Sequence, residues 1–224
     1  MSAAAAAYFA AEAALNPSGA FGFATGGTPV GMYAELLRMK ADLRGIRAFN
    51  LDEYHPIKKD DPQSYYRFMQ ENLFNAANVT NTAIPDGEAA DAEAECAAYE
   101  ARLNAAGGID LQILGIGANG HIGFNEPSDC FSKGTSYVPL TESTIKANAR
   151  FFASPGDVPK NAITMGIRSI MAARKIMLLA SGAGKAEILR DALRGPITPR
   201  VPASALQLHP NVTVFADEAA AALL

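Results

Sequence analysis

Short apolar runs flanked by Gly or Asp alternate along this chain with longer segments whose apolar positions recur at helical spacing. That rhythm predicts a mostly parallel sheet with helices on its faces, an α/β fold. The runs predicting strands are Ala20 to Ala24, Ile46 to Leu51, Ile109 to Ile116, Ala162 to Met165, Lys175 to Ala180 and Val212 to Ala216. Helices are predicted over Val30 to Lys40, Pro62 to Phe74, Glu88 to Ala106, Glu142 to Asn148, Gly166 to Ala173 and Lys185 to Leu193. An alanine-rich opening helix, with Ser2 as a candidate N-cap, ends near Asn16-Pro17-Ser18-Gly19. With no internal repeat and no long linker, residues 1–224 read as one domain, and Gly195 to Pro199 as a surface loop.

Composition narrows the classes of function. The chain is 49% hydrophobic with a formal net charge of -4, so it offers no basic stripe for nucleic acid and no polybasic segment for a membrane. A small anionic ligand must then be held by local groups. The N-terminus has no positive region ahead of an apolar core, and no apolar run reaches the ~18 residues of a membrane span. Cys96 and Cys130 show neither CxxC spacing nor paired Cys/His motifs, which argues against a disulfide framework or a structural metal and fits a reducing cytoplasm.

In open α/β sheets the ligand crevice lies beyond the carboxyl ends of the strands, so polar clusters just after predicted strands carry the most information. Thr25-Gly26-Gly27-Thr28-Pro29 outlines an anion cradle: glycines let backbone amides approach, Thr25 and Thr28 offer hydroxyls, and Pro29 could open a helix at its first position. An ordinary strand-to-helix turn is the equal alternative. It lacks the Lys of a P-loop and the spacing of a dinucleotide fingerprint. Asp52-Glu53-Tyr54 follows the second run, where a carboxylate withdrawn from water could serve as general base for a carbon acid. The plainer reading has Asp52 capping a turn and Glu53 in solvent. After the third run, His121 sits among Gly117, Gly120 and Gly123, with Asn119 and Glu126 near enough to orient its ring.

Arg150 and Lys185 could complete an anion site, Lys185 because it follows a strand and a glycine turn, Arg150 through its bidentate fork. Solvated surface charge is the common alternative for both. His55 and His209 read as structural, and Asp91 to Glu95 as the exposed face of a helix.

Taken together, Thr25-Gly26-Gly27-Thr28-Pro29, Phe49-Asn50-Leu51-Asp52-Glu53-Tyr54, Ser64-Tyr65-Tyr66, Gly120 to Pro127, Val158-Pro159-Lys160 and Leu206 to Pro210 resemble the glucosamine-6-phosphate deaminase family in order and spacing over nearly the whole chain. The resemblance implies a Rossmann-like three-layer α/β fold, no metal or redox cofactor, and an amino sugar phosphate as substrate. By position, Asp52 matches the family's base and His121 the histidine that assists ring opening, supported by Glu126 and Asn119. Thr25, Gly26, Gly27, Thr28, Arg150 and Lys185 match the phosphate site.

Two departures stand out. Position 119 is Asn where some members carry Asp, and Thr135-Ser136-Tyr137-Val138 lacks the basic pair of the larger, allosterically regulated hexamers. The chain also looks shorter at both ends than those members. A monomer or small homo-oligomer without activation by N-acetylglucosamine 6-phosphate is therefore expected, with Val138 to Asp157 as the candidate lid. Two other readings share the fold: a 6-phosphogluconolactonase, which usually differs after the histidine, and a sugar-phosphate-sensing regulatory domain, which normally adjoins a DNA-binding segment.

Overall fold

The computed structural model describes residues 1–149, 152 and 154–224. In chain order its elements are α1 (Ser2–Leu15), β1 (Ala20–Phe23), α2 (Gly27–Arg38), β2 (Arg47–Asn50), β3 (Asp52–His55), α3 (Tyr65–Met69), α4 (Asn75–Ala77), β4 (Thr82–Ala83), α5 (Ala92–Ala105) and β5 (Leu111–Gly115). There follow β6 (Ser136–Pro139), α6 (Glu142–Asn148), β7 (Asn161–Thr164), α7 (Ile167–Met171), β8 (Lys175–Ala180), α8 (Ala186–Arg194) and β9 (Val212–Ala216).

Six strands make one parallel sheet in the order β4-β2-β1-β5-β8-β9, flanked by helices. Strands buried on both faces read as near-continuous apolar runs, as Ile-Met-Leu-Leu-Ala does from Ile176 to Ala180, where every residue is buried. From β1 the order runs out to β2 and β4 on one side and to β5, β8 and β9 on the other. The chain thus reverses between β1 and β5, and there the strand ends open a crevice.

A second, antiparallel sheet of order β3-β7-β6 stands beside the first. Leu51 alone joins β2 to β3. Its N–H donates to Phe23 O at 2.8 Å and its C=O accepts from Met165 N at 2.9 Å, so this residue steps the chain from one sheet to the other. The predicted strand at Ala162 to Met165 forms as β7, but in this smaller sheet rather than the central one. A separate apolar cluster of Tyr54, Ile57, Phe124, Leu140 and Ala162 underlies it, with Ile145 of α6 packed against the same group.

Several boundaries differ from expectation for local reasons. Ser2 is the first helical residue of α1 and makes no side-chain cap bond; Met1 occupies the cap position. Helix α2 begins at Gly27, so Pro29 falls at its third residue instead of its first. The predicted helix from Pro62 starts at Tyr65 and runs through a π-helical stretch, Gln70–Phe74, before α4. Helix α5 starts at Ala92 because Asp91 caps it, accepting from Ala94 N at 3.0 Å. Asp91 and Glu95 are thus bound groups, with Glu95 paired to Arg102. Lys185 closes a 3-10 turn, Ala183–Lys185, ahead of α8.

Candidate active site

The loops leaving β1, β2, β5 and β8 converge at the crevice and enclose a cavity of about 470 Å³, lined by Thr25, Gly26, Gly27, Thr28, Asp52, Asn119, His121 and Lys185 among others. That volume lies in the range of small-molecule sites.

The turn after β1 is held from behind. Tyr33, fully buried in α2, donates its hydroxyl to Ala24 O at 2.6 Å. Gly26 then takes φ +91°, a conformation that disfavours any side chain, and serves as the N-cap of the 12-residue α2. The unpaired N–H groups of the helix's first turn and its positive dipole end favour an anion there. Across the cavity, Lys185 Nζ donates to Ile116 O at 2.7 Å, which holds the ammonium at the end of β5. Arg150 lies outside the described residues.

The adjacent carboxylates after β2 have separate duties. Glu53 is 2% exposed and points into the protein, contrary to the plainer reading of the sequence. Its Oε1 accepts from Tyr54 N and Tyr65 N and its Oε2 from Tyr66 N, each at 2.9 Å. Ser64 Oγ adds a bond from Arg67 N at 3.0 Å. Together these two side chains satisfy the N-terminal amides of α3, and so Asp-Glu-Tyr and Ser-Tyr-Tyr are halves of one device. Burial pushes the Glu53 carboxyl up to about 7 against the three amides that hold it down. Asp52, 6% exposed, opens β3 opposite Thr164 and lines the cavity. Burial, reinforced by the neighbouring Glu53 charge, pushes its carboxyl up to about 8. A carboxylate destabilised in this way is a strong base once ionised.

His121 is placed by Glu126 and Gly117. Its Nδ1 faces Glu126 Oε2 at 3.4 Å, within ion-pair reach but without a formed hydrogen bond. That facing favours the tautomer with the proton on Nδ1 and leaves Nε2 as the acceptor. The ring covers Gly117, where a Cβ would come within 2.3 Å of Cε1 and 2.4 Å of Nε2. Asn119 acts on the histidine through its neighbours: its Nδ2 donates to Glu126 Oε2 at 2.6 Å, and its Oδ1 accepts from the His121 backbone N–H at 3.2 Å. Burial pushes the Glu126 carboxyl up, but the facing His121 imidazole and the hydrogen bonds from Thr144 and Asn119 outweigh it and hold the group down at about 2.

The other histidines have structural contacts. His55 Nε2 meets Ala89 O at 2.9 Å and His209 Nε2 meets Ala173 O at 2.8 Å. Among the described residues no group of three or more His, Cys, Asp or Glu is placed to hold a metal ion, and no helix is long and apolar enough to cross a membrane.

Sequence reasoning gave no individual role to Tyr65, Ser143, Thr144 or Asn148, all of which line the cavity. Tyr65 lies in Ser64-Tyr65-Tyr66, whose two tyrosine backbone amides are held by Glu53. Ser143 and Thr144 carry no local signal, because Ser and Thr near a helix start read as caps, and Asn148 is the last residue of α6.

A family model described as glucosamine-6-phosphate isomerases/6-phosphogluconolactonase matches residues 1–215. The chain belongs to that family. Within it, a glucosamine-6-phosphate deaminase of Clostridium perfringens strain ATCC 13124 is 53% identical over 230 residues, covering 100% of this chain and 95% of that protein. A namesake from Clostridioides difficile strain 630 is also 53% identical, with 100% and 92% covered. The solved structure of a monomeric glucosamine-6-phosphate deaminase superposes with a TM-score of 0.96 at 45% identity, covering 100% of this chain and 95% of that one. A 6-phosphogluconolactonase from Thermotoga maritima gives 0.73 at 22% identity over 94% of this chain and 90% of its own, a likeness of fold.

Proposed function

We propose that this chain converts glucosamine 6-phosphate and water into fructose 6-phosphate and ammonia. One observation carries the reading: a buried carboxylate, an imidazole and an anion-binding helix start line the same cavity. The substrate phosphate sits on the Thr25 to Thr28 turn with Lys185, and the resemblance to the family assigns Arg150 to the same role. Anchored there, the sugar presents its ring to His121 and carbon 2 to Asp52, so that binding supplies the orientation. Nε2 of His121 takes the proton of the 1-hydroxyl and returns it to the ring oxygen, which opens the ring. Asp52 takes the proton from carbon 2 while the carbonyl oxygen on carbon 1 gains one from the substrate ammonium, giving an enolamine, and Asp52 then delivers its proton to carbon 1. The double bond moves to carbon 2 and nitrogen as an imine, and water hydrolyses this to the ketone and ammonia. Glu126 and Asn119 orient His121, and no metal or redox cofactor takes part.

The deaminases at 53% identity and the 45% identical structure favour this reaction over lactone hydrolysis. We also propose that the chain works as one catalytic domain and a monomer, like the structural relative described as monomeric, and shows hyperbolic kinetics without an allosteric activator. Its two free cysteines suit a reducing cytoplasm. The test is to supply purified protein with glucosamine 6-phosphate or with 6-phosphogluconolactone. Equimolar ammonium and fructose 6-phosphate from the first is expected; turnover of the lactone alone overturns the reading.

A further inference from the structure

The two oxygens of Glu126 serve different parts of the molecule. Oε2 accepts from Asn119 Nδ2 at 2.6 Å and faces His121. Oε1 is bound by helix α6: Thr144 Oγ1 donates to it in a short hydrogen bond, and Thr141 Oγ1 lies 3.2 Å away. Thr144 has a single hydroxyl proton, and it goes to the carboxylate. Thr141 is the N-cap of α6, where its oxygen accepts from Thr144 N at 3.3 Å. Its own proton has three acceptors in reach: Glu126 Oε1, Thr144 Oγ1 at 3.1 Å and Ser143 Oγ at 2.9 Å.

Thr144 is 5% exposed yet lines the cavity together with Ser143 and Asn148 of the same helix. A carboxyl group turns easily about its last side-chain bond. Anchoring Oε1 removes that freedom and commits Oε2 to His121. We propose that Thr144 is a positioning residue: seated on Glu126 through α6, its hydroxyl fixes the carboxylate that selects the Nδ1–H tautomer of His121, so the position of α6 at the cavity governs ring opening. This rests on the deaminase reading for its kinetics, though not for its spectroscopy.

The test compares Thr144→Val, which keeps shape and loses the hydroxyl, with Thr144→Ser, which keeps the hydroxyl. Thr144→Ala replaces the valine variant if that one does not fold. The first readout is 15N NMR of histidine-labelled protein without substrate. His55 and His209 act as internal references, because the Nε2 of each faces a carbonyl oxygen and carries the proton. His121 is expected in the opposite tautomer in the wild type, mixed in Thr144→Val and restored in Thr144→Ser. In the second readout, kcat for ammonium release falls about tenfold or more in the valine variant, with KM within about twofold, and recovers with serine. Unchanged His121 signals in Thr144→Val overturn the proposal, as does a kcat loss that serine fails to restore. Should the wild type release no ammonium, the deaminase reading fails while the NMR comparison still decides the role of Thr144.

Discussion

His121 leaves no room for a side chain at Gly117. A Cβ there would stand 2.3 Å from the imidazole carbon Cε1, nearer than real atoms approach, so the ring and the glycine fix each other's place. Substituting Gly117→Ala must displace the imidazole from its seat beside Glu126. The expected result is a loss of kcat/KM of about 100-fold, the order that misplacing a catalytic group costs, with the far-ultraviolet circular dichroism of the wild type retained. Near-wild-type turnover would mean that the ring position is not critical.

Asp52 sets the pH dependence. With its carboxyl raised to about 8 by burial and by Glu53, a base at this position is ionised only as pH climbs through that value. In a pH series, kcat/KM should rise up to about pH 8 and level off above it.

The same shift has a thermodynamic side. A folded-state value raised above the unfolded one means that the native protein binds this proton more tightly, so the contribution of Asp52 to stability is fullest below about 3.8 and is lost as pH rises to about 8. Asp52→Asn removes that decline. Its melting temperature should exceed that of the wild type by a margin that widens from about pH 4 to pH 8 and is constant beyond, as read by calorimetry. A margin independent of pH would show that the carboxyl is not perturbed.

Glu53→Gln separates the structural carboxylate from the chemical one. The amide keeps one acceptor oxygen, so at least one of the Tyr54, Tyr65 and Tyr66 amides loses its partner. Leaving such a donor unsatisfied costs about 1–3 kcal/mol, visible as a lower melting temperature. Removal of the neighbouring charge should also move the rise in kcat/KM to lower pH, since that charge contributes to the shift at Asp52.

At the anion end, Lys185→Met removes the ammonium held at the end of β5. KM for glucosamine 6-phosphate should rise by about tenfold or more, and inorganic phosphate should weaken as a competitive inhibitor by a similar factor. An unchanged inhibition constant would place the phosphate elsewhere.

Much of this was legible from local pattern. The runs at Lys175 to Ala180 and Val212 to Ala216 became β8 and β9 with the expected ends: β8 is a continuous apolar run because it is covered on both faces, while β9, half-buried at the sheet edge, still carries the β-branched and aromatic residues of a strand. The second sheet was harder to read. Asp52–His55 carries charge into a strand, and Ser136–Pro139 is half exposed, so neither has the apolar signature; each forms because β7 lies between them. Site residues lying just after strands could be picked out, since the fold puts ligand crevices there. The tasks of Glu53 and Thr144 could not. Glu53 binds amides up to 13 residues ahead, and Thr144 meets a carboxylate 18 residues back, relations that only the folded chain creates.

The most direct measurement compares Asp52→Asn with the wild type on glucosamine 6-phosphate, following turnover by ammonium release and binding by calorimetry. Loss of turnover by a factor of about 1,000 or more, with Kd within severalfold of the wild-type KM, is the expected result for removal of the base from an intact pocket. An Asp52→Asn protein that still releases ammonium at a tenth of the wild-type rate or faster would contradict the role assigned to this carboxylate.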